Sequence, residues 1–142
     1  MVGTIRAPLF VPANRPERFA KAAASGTDAV ILDLEDAVAV DAKDAARAAL
    51  TKDFTALPVI VRINAQGTPW HDADMAAVAA LHPAAVILPK AEDAGLAASA
   101  AATLGVPVIK EQRGIRQLQL SSRGVFAIDC LLSMPLLNGH GS

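Results

Sequence analysis

Ala29-Val30-Ile31-Leu32-Asp33-Leu34-Glu35-Asp36-Ala37-Val38 is the stretch from which the fold can be read. Its first half is apolar and β-branched, the composition of a strand buried on both faces. Its second half runs into acids that have no place in a core, because burying an unpaired charge costs several kcal/mol. The same design recurs along the chain. Leu9–Ala13 runs out into Asn14 and Arg15, Val59–Ile63 carries Arg62 and runs out into Asn64, and Ala85–Leu88 runs through Pro89 into Lys90 and Glu92. A further run, Val106–Ile109, ends in Lys110 and Glu111.

Ala-rich segments with helical character lie between these runs. One helix is predicted from Pro16, with Asn14 or Arg15 as its cap, to a stop at Gly26. A second spans Ala42–Leu50 with Asp41 as N-cap, a third Asp72–Leu81 closed by Pro83, and a fourth Ala91–Leu104 ending at Gly105. Strand alternating with helix predicts βαβ units and a parallel α/β sheet. Parallel strands bring their C-terminal ends to one edge, where open α/β sheets and β/α barrels place their ligand sites. The charged strand ends therefore predict one shared polar site.

Beyond Gly114 the pattern weakens. Gln117, Gln119, Ser121, Ser122 and Arg123 form a polar patch without a clear period, Val125–Leu132 is a candidate sixth strand, and Leu136–Ser142 reads as a frayed end. The chain is expected to be one structural unit over 1–142, with a divergent, poorly ordered tail over 115–142.

Composition sets the outer limits. The chain has 142 residues, 53% hydrophobic and 19% charged, with a formal net charge of −1. That balance gives no electrostatic basis for nucleic-acid binding. The single cysteine, Cys130, excludes an internal disulfide and reads as a small core residue. No run approaches the ~20 apolar residues of a membrane span, and the N-terminus lacks a leader-like stretch, so a cytoplasmic protein is expected.

Asp33 and Glu35 fall two apart, on one side of a strand. Two such carboxylates suit a Mg²⁺ ion or a water-linked network. They also suit a surface turn or a helix start. Arg62 and Asn64 are likewise two apart. Arg62, flanked by Val61 and Ile63, must find an anion, either a structural partner such as Glu35 or a ligand carboxylate. Lys90 has Glu92 beside it, which opposes Schiff-base chemistry, so it reads as an electrostatic or structural contributor. Arg15 and Arg18 are placed to meet an anion or to solvate a helix start. His71 and His82 are read in a loop and at a helix end, and none of the three histidines, His140 included, has a partner at ligand spacing. There is no glycine-rich phosphate loop and no GxSxG elbow.

Taken together, LFVPANRPERFAKA (9–22), VILDLEDAV (30–38), VIVRINAQGTPW (59–70) and VILPKAE (86–92) resemble the citrate lyase β-subunit-like family, within the wider HpcH/HpaI aldolase and citrate lyase group. The resemblance covers roughly residues 5 to 109. It implies a (β/α) TIM-type barrel and a Mg²⁺-dependent carbon–carbon lyase. The implied substrate is a hydroxy-dicarboxylic acyl thioester, carried on coenzyme A or an acyl carrier, in a homo-oligomer or larger lyase assembly. By motif it implies Arg62 as binder of a substrate carboxylate and Glu35 and Asp36 as the acidic pair at the site. Members also carry I-E-T-A-R-G at the fifth strand, with a metal-binding Glu. Here IKEQRGI (109–115) places Glu111 near that position, as metal ligand and substrate neighbour, in a block one residue short. At the sixth strand members carry G-S-x-D-F. The stretch here, Arg123-Gly124-Val125-Phe126, has no Asp, and Asp129 lies beyond it.

A full barrel needs about 250 residues. Five or six βα units therefore predict a partial barrel from a truncated or frame-disrupted member, or one part of a larger assembly. Such a chain could be an inactive member of its family. A class II pyruvate-type aldolase is a further reading from the same group.

Overall fold

The computed structural model describes residues 3–5, 7–89, 94–111, 117–121 and 124–128. Lys90, Glu92, Arg113, Gly114, Arg123, Asp129, Cys130 and His140 lie outside them. Five parallel strands form one sheet: β2 (Pro8–Pro12), β3 (Ala29–Asp33), β4 (Val59–Arg62), β5 (Ala85–Pro89) and β6 (Val108–Glu111). Their spatial order is their chain order. Each βα unit therefore steps in the same direction, as in a β/α barrel. A doubly wound sheet would reverse its order partway. The helices are α1 (Phe19–Ala23), α2 (Lys43–Ala48), α3 (His71–Leu81) and α4 (Ala94–Leu104). This is an α/β fold, a partial (β/α) barrel.

Residues paired in register point to the same face of the sheet, and the two faces form two apolar cores. Val30, Leu32, Val59, Val61, Val86 and Leu88 meet helix residues such as Phe19, Ala46, Val78 and Leu104. Ala29, Ile31, Ile60, Ala85, Ile87 and Ile109 form the opposite cluster. This burial on both faces is why the strands read as unbroken apolar runs.

The second core is closed in part by a second sheet. It consists of β1 (Gly3–Ile5), β7 (Gln117–Ser121) and β8 (Gly124–Ile128), antiparallel in the order β1-β7-β8. Ile5 of β1 belongs to the Ile31/Ile60/Ile87 cluster, and β8 approaches β6. The candidate sixth strand thus exists over 124–128, but it is no sixth βα unit. It pairs antiparallel with 117–121 across two intervening residues, and so short a connection permits only an antiparallel pair. The part of the polar patch over 117–121 is itself a strand, in whose sequence Leu118 and Leu120 alternate with Gln117, Gln119 and Ser121.

Several element ends also differ from expectation. The first helix enters through a 3-10 turn at Pro16–Arg18, and the second through another at Val40–Ala42, so neither Arg15 nor Asp41 makes a side-chain cap. The third helix begins at His71 rather than Asp72. It is closed by His82 in a left-handed conformation, φ 57°, whose N–H donates to the Val78 carbonyl at 2.8 Å. The last parallel strand begins at Val108, two residues later than its apolar run. Pro107 has no N–H for the ladder, though its carbonyl accepts from Val86 N–H at 2.9 Å. The shift makes Glu111 the final strand residue, in register with Pro89. Among the described residues no helix is long and apolar enough to cross a membrane.

Candidate functional site

Asp33 and Arg62 are the last residues of β3 and β4, paired in register. Both lie on the face of the Ile31/Ile60/Ile87 core, and Asp33 is fully buried. Arg62 Nε donates to Asp33 Oδ1 at 2.8 Å and Nη2 donates to Oδ2 at 2.7 Å, a bidentate pair. Neither group had another way to be buried, since the strand runs around them are apolar.

The rest of the guanidinium reaches along the sheet. Nη1 donates to both carboxylate oxygens of Glu111, at 3.2 and 3.0 Å. Arg62 pairs with Ile87 on β5, while Glu111 pairs with Pro89 one layer further along. The intervening strand offers no charge, so only a side chain of arginine's length bridges the gap. Glu35 Oε1 stands 3.6 Å from Arg62 Nε, and the guanidinium carbon lies 4.6 Å from the Phe10 ring centroid, a cation–π contact from β2.

Asp33 also organises the turn that follows it. Its two oxygens accept the N–H groups of Glu35, at 2.9 Å, and Ala37, at 3.0 Å. Burial alone pushes the Asp33 carboxyl up. The Arg62 hydrogen bonds and charge, with these two amides, outweigh burial and hold its pKa below the usual value of 3.8. Burial likewise works against the Arg62 cation, but Asp33, Glu111 and Glu35 keep it more firmly charged than a free arginine. Glu111 is the exception. Burial pushes it above the usual 4.5, the charges of Glu35 and Asp33 add to that, and Arg62 only partly offsets them.

Among the described residues of the cluster, three carboxylates lie around one guanidinium, an excess of two formal negative charges. Hard carboxylate oxygens with excess negative charge are the donor chemistry that a divalent cation satisfies. Glu111, at the end of β6 and partly exposed, is the carboxylate of the cluster that could hold such a cation. Among the described residues no group of three His, Cys, Asp or Glu side chains is placed to hold a metal. Mg²⁺ does not require one, since it keeps several waters and commonly takes one or two protein carboxylates.

The sequence-predicted residues divide accordingly. Arg62, Glu35 and Glu111 come together, whereas Asp36 is exposed and belongs to none of the described ion pairs around Arg62. The principal partner of Arg62 is Asp33 rather than Glu35. The available signal was that two opposite charges, each inside an apolar run on neighbouring strands, must find one another. Phe10 carried no such signal.

Asn64 does not join Arg62. It is buried against α3, where its N–H and Nδ2 donate to Asp74 Oδ2 at 2.9 and 2.7 Å, and Nδ2 also donates to the Leu34 carbonyl at 3.0 Å. His71, expected in a loop, is nine-tenths buried, with Nδ1 2.9 Å from the Asn64 carbonyl oxygen. Asp74 also accepts from Arg47 Nε at 2.9 Å.

A partial β/α barrel with a charged cluster at the C-terminal edge of its strands defines the class: a β/α-barrel protein with polar side chains gathered where such folds place their ligand sites. The HpcH/HpaI aldolase/citrate lyase family model matches residues 6–130, and the chain belongs to that family. A citrate lyase subunit beta-like protein of Mycobacterium tuberculosis is 48% identical over 108 residues, covering 75% of this chain and 39% of the relative. A (3S)-malyl-CoA thioesterase of Cereibacter sphaeroides is 40% identical over 90 residues, covering 60% and 32%. A solved structure of the M. tuberculosis citrate lyase beta subunit, complexed with oxaloacetate and magnesium, is 46% identical with a TM-score of 0.61. That match covers 76% of this chain and 47% of the other. The chain thus spans less than half the length of each of these relatives.

Proposed function

We propose that the Arg62 cluster is the substrate end of a Mg²⁺-dependent carbon–carbon lyase acting on a hydroxy-dicarboxylic acyl thioester. The substrate is of citryl-CoA or malyl-CoA type, and the products are acetyl-CoA and an oxo acid. One observation carries this reading. Arg62 is fixed by Asp33 on one side and by Glu111 on the other, with Glu35 beside it, at the C-terminal edge of parallel strands. Resemblance to relatives named for citrate lyase and for a malyl-CoA enzyme, and to a structure holding oxaloacetate and magnesium, supports it.

In this reading the Arg62 N–H groups not taken by Asp33 and Glu111 receive a carboxylate of the oxo acid. Glu111 holds the metal and lies against the substrate. When bound, Mg²⁺ polarises the oxo-acid carbonyl and stabilises developing negative charge. Glu35 stands next to Arg62, where a carboxylate can exchange a proton with a bound hydroxy acid. Asp36, exposed on the same turn, acts at the rim. The thioester enters from solvent, and the enzyme works in the cytoplasm as a homo-oligomer or within a larger lyase assembly.

A second reading, a catalytically inactive family member, is favoured by the stretch Arg123-Gly124-Val125-Phe126, which lacks the Asp that the resemblance implies at the sixth strand. Calorimetric titration with Mg²⁺, followed by assay of citryl-CoA and malyl-CoA cleavage, separates the two. The lyase reading requires both binding and turnover. Binding without turnover supports the second reading. Absence of binding at millimolar Mg²⁺ removes the lyase reading. Cleavage of free hydroxy acids without a thioester replaces it with a class II pyruvate-type aldolase.

A further inference from the structure

Lys43, the first residue of α2, is buried to 6% exposure. Its ammonium donates to three main-chain carbonyls, Leu34 at 3.0 Å, Glu35 at 2.9 Å and Val38 at 3.1 Å. All three of its N–H groups are thereby used, and Nζ lies 5.0 Å from the centroid of the Trp70 ring. None of the described salt bridges includes it. A buried cation whose acceptors are neutral carbonyls is a costly way to close a turn. What it closes is the segment whose amides face Asp33. Glu35 and Ala37 donate their N–H groups to the Asp33 carboxylate, while the carbonyls of Leu34, Glu35 and Val38 converge on Lys43. The turn is strung between an anion at the site and a cation behind it, with its peptide dipoles ordered by both. Glu35 is held at both ends of its own backbone.

We propose that Lys43 is a positioning residue for the Arg62 site: through three main-chain carbonyls it fixes the turn that presents Glu35 and ties down Asp33. Its functional consequence rests on the site reading above. Trp70, whose ring lies against the ammonium, links the same clamp to the segment that follows β4. Neither residue touches a reacting atom in this scheme.

The test compares the native chain with Lys43→Met, Lys43→Arg, Val78→Ala and Arg62→Ala. Val78 is fully buried on α3, far in function from the turn, and its truncation serves as a control for general destabilisation. Amide hydrogen exchange is read at Glu35 and Ala37, and affinity for oxaloacetate with Mg²⁺ by calorimetry. Expected for Lys43→Met is selective loss of protection at those two amides and a fall in affinity of about tenfold or more, the usual cost of removing a group behind a metal site. Lys43→Arg, which keeps the charge, retains part of both, and it carries the test if the Met variant does not fold. Unchanged protection at Glu35 and Ala37 in the Lys43 variants overturns the proposal. So does equal loss in Val78→Ala, which would reduce Lys43 to a stabilising residue. Native affinity in Arg62→Ala would instead discard the site reading, while the exchange data still decide whether Lys43 sets the turn.

Discussion

Asp33 and Arg62 end adjacent parallel strands in direct register, and the carboxylate closes both its oxygens on the guanidinium at 2.8 and 2.7 Å. Asp33→Ala takes from Arg62 its bidentate partner, leaving it only Glu111 and the more distant Glu35, and it frees the amides of Glu35 and Ala37. A loss of about 3 kcal/mol is expected in urea unfolding, since hydrogen bonds to charged groups contribute about 1.5–3 kcal/mol each. The double variant Asp33→Ala with Arg62→Met should recover part of that loss. Additive losses in the double-mutant cycle would show that the two side chains are not energetically coupled.

The pH dependence follows from the two shifted carboxyls, with opposite signs. Asp33 lies below its usual 3.8 in the folded state. Its stabilising contribution is complete above that value and is lost as the pH falls through the lowered one. Asp33→Asn should therefore show a flatter decline of stability in acid than the native chain. Glu111 lies above its usual 4.5, so its contribution is complete below 4.5 and is lost as the pH rises through the folded value. Glu111→Gln should gain stability relative to the native chain between pH 4.5 and neutrality. Thermal melts across that range, without metal, give the sign directly.

Asp74 accepts three hydrogen bonds while almost wholly buried, from Asn64 N–H, Asn64 Nδ2 and Arg47 Nε. Asp74→Ala leaves a main-chain donor and a side-chain amide short of a partner inside the fold. Each such bond to a charged group contributes about 1.5–3 kcal/mol, so the variant should lose at least about 3 kcal/mol of stability in denaturant unfolding. An exposed acid on the same helix, Asp72, serves as the comparison, and its replacement by Ala should change stability little.

What could be read in advance, and what could not, follows from the physics of individual residues. β3, β4 and β5 were legible because Ala29–Leu32, Val59–Val61 and Ala85–Leu88 are apolar on both faces, and their charged ends announced a common edge. The partner of Arg62 was less legible. Asp33 and Glu35 share a side of the strand, and only the register between β3 and β4 selects Asp33. The start of β6 was misplaced because Pro107 lies in the apolar run but cannot donate to a ladder. β7 was missed because two glutamines and a serine masked a two-residue alternation. The Lys43 clamp and the Asn64–His71–Asp74–Arg47 network left no trace in the pattern. A lysine at the start of an Ala-rich helix is ordinarily solvated, and its burial depends on a turn that bends its carbonyls inward.

The order of binding is the sharpest consequence of the site's charge. Arg62 is surrounded by Asp33, Glu35 and Glu111, so a dicarboxylate approaching the free site meets two excess negative charges. At partly buried distances such repulsion amounts to several kcal/mol, more than the Arg62 N–H groups left free can offset. A divalent cation on Glu111 cancels the excess. Oxaloacetate should therefore bind measurably only when Mg²⁺ is present, and Mg²⁺ alone should raise the melting temperature of the native chain but not of Glu111→Gln. Calorimetry with and without EDTA, paired with melts of both proteins, decides it. Equal oxaloacetate affinity in the two conditions would mean that the anion is received elsewhere. A metal-induced rise in the Glu111→Gln melt would place the cation on other ligands.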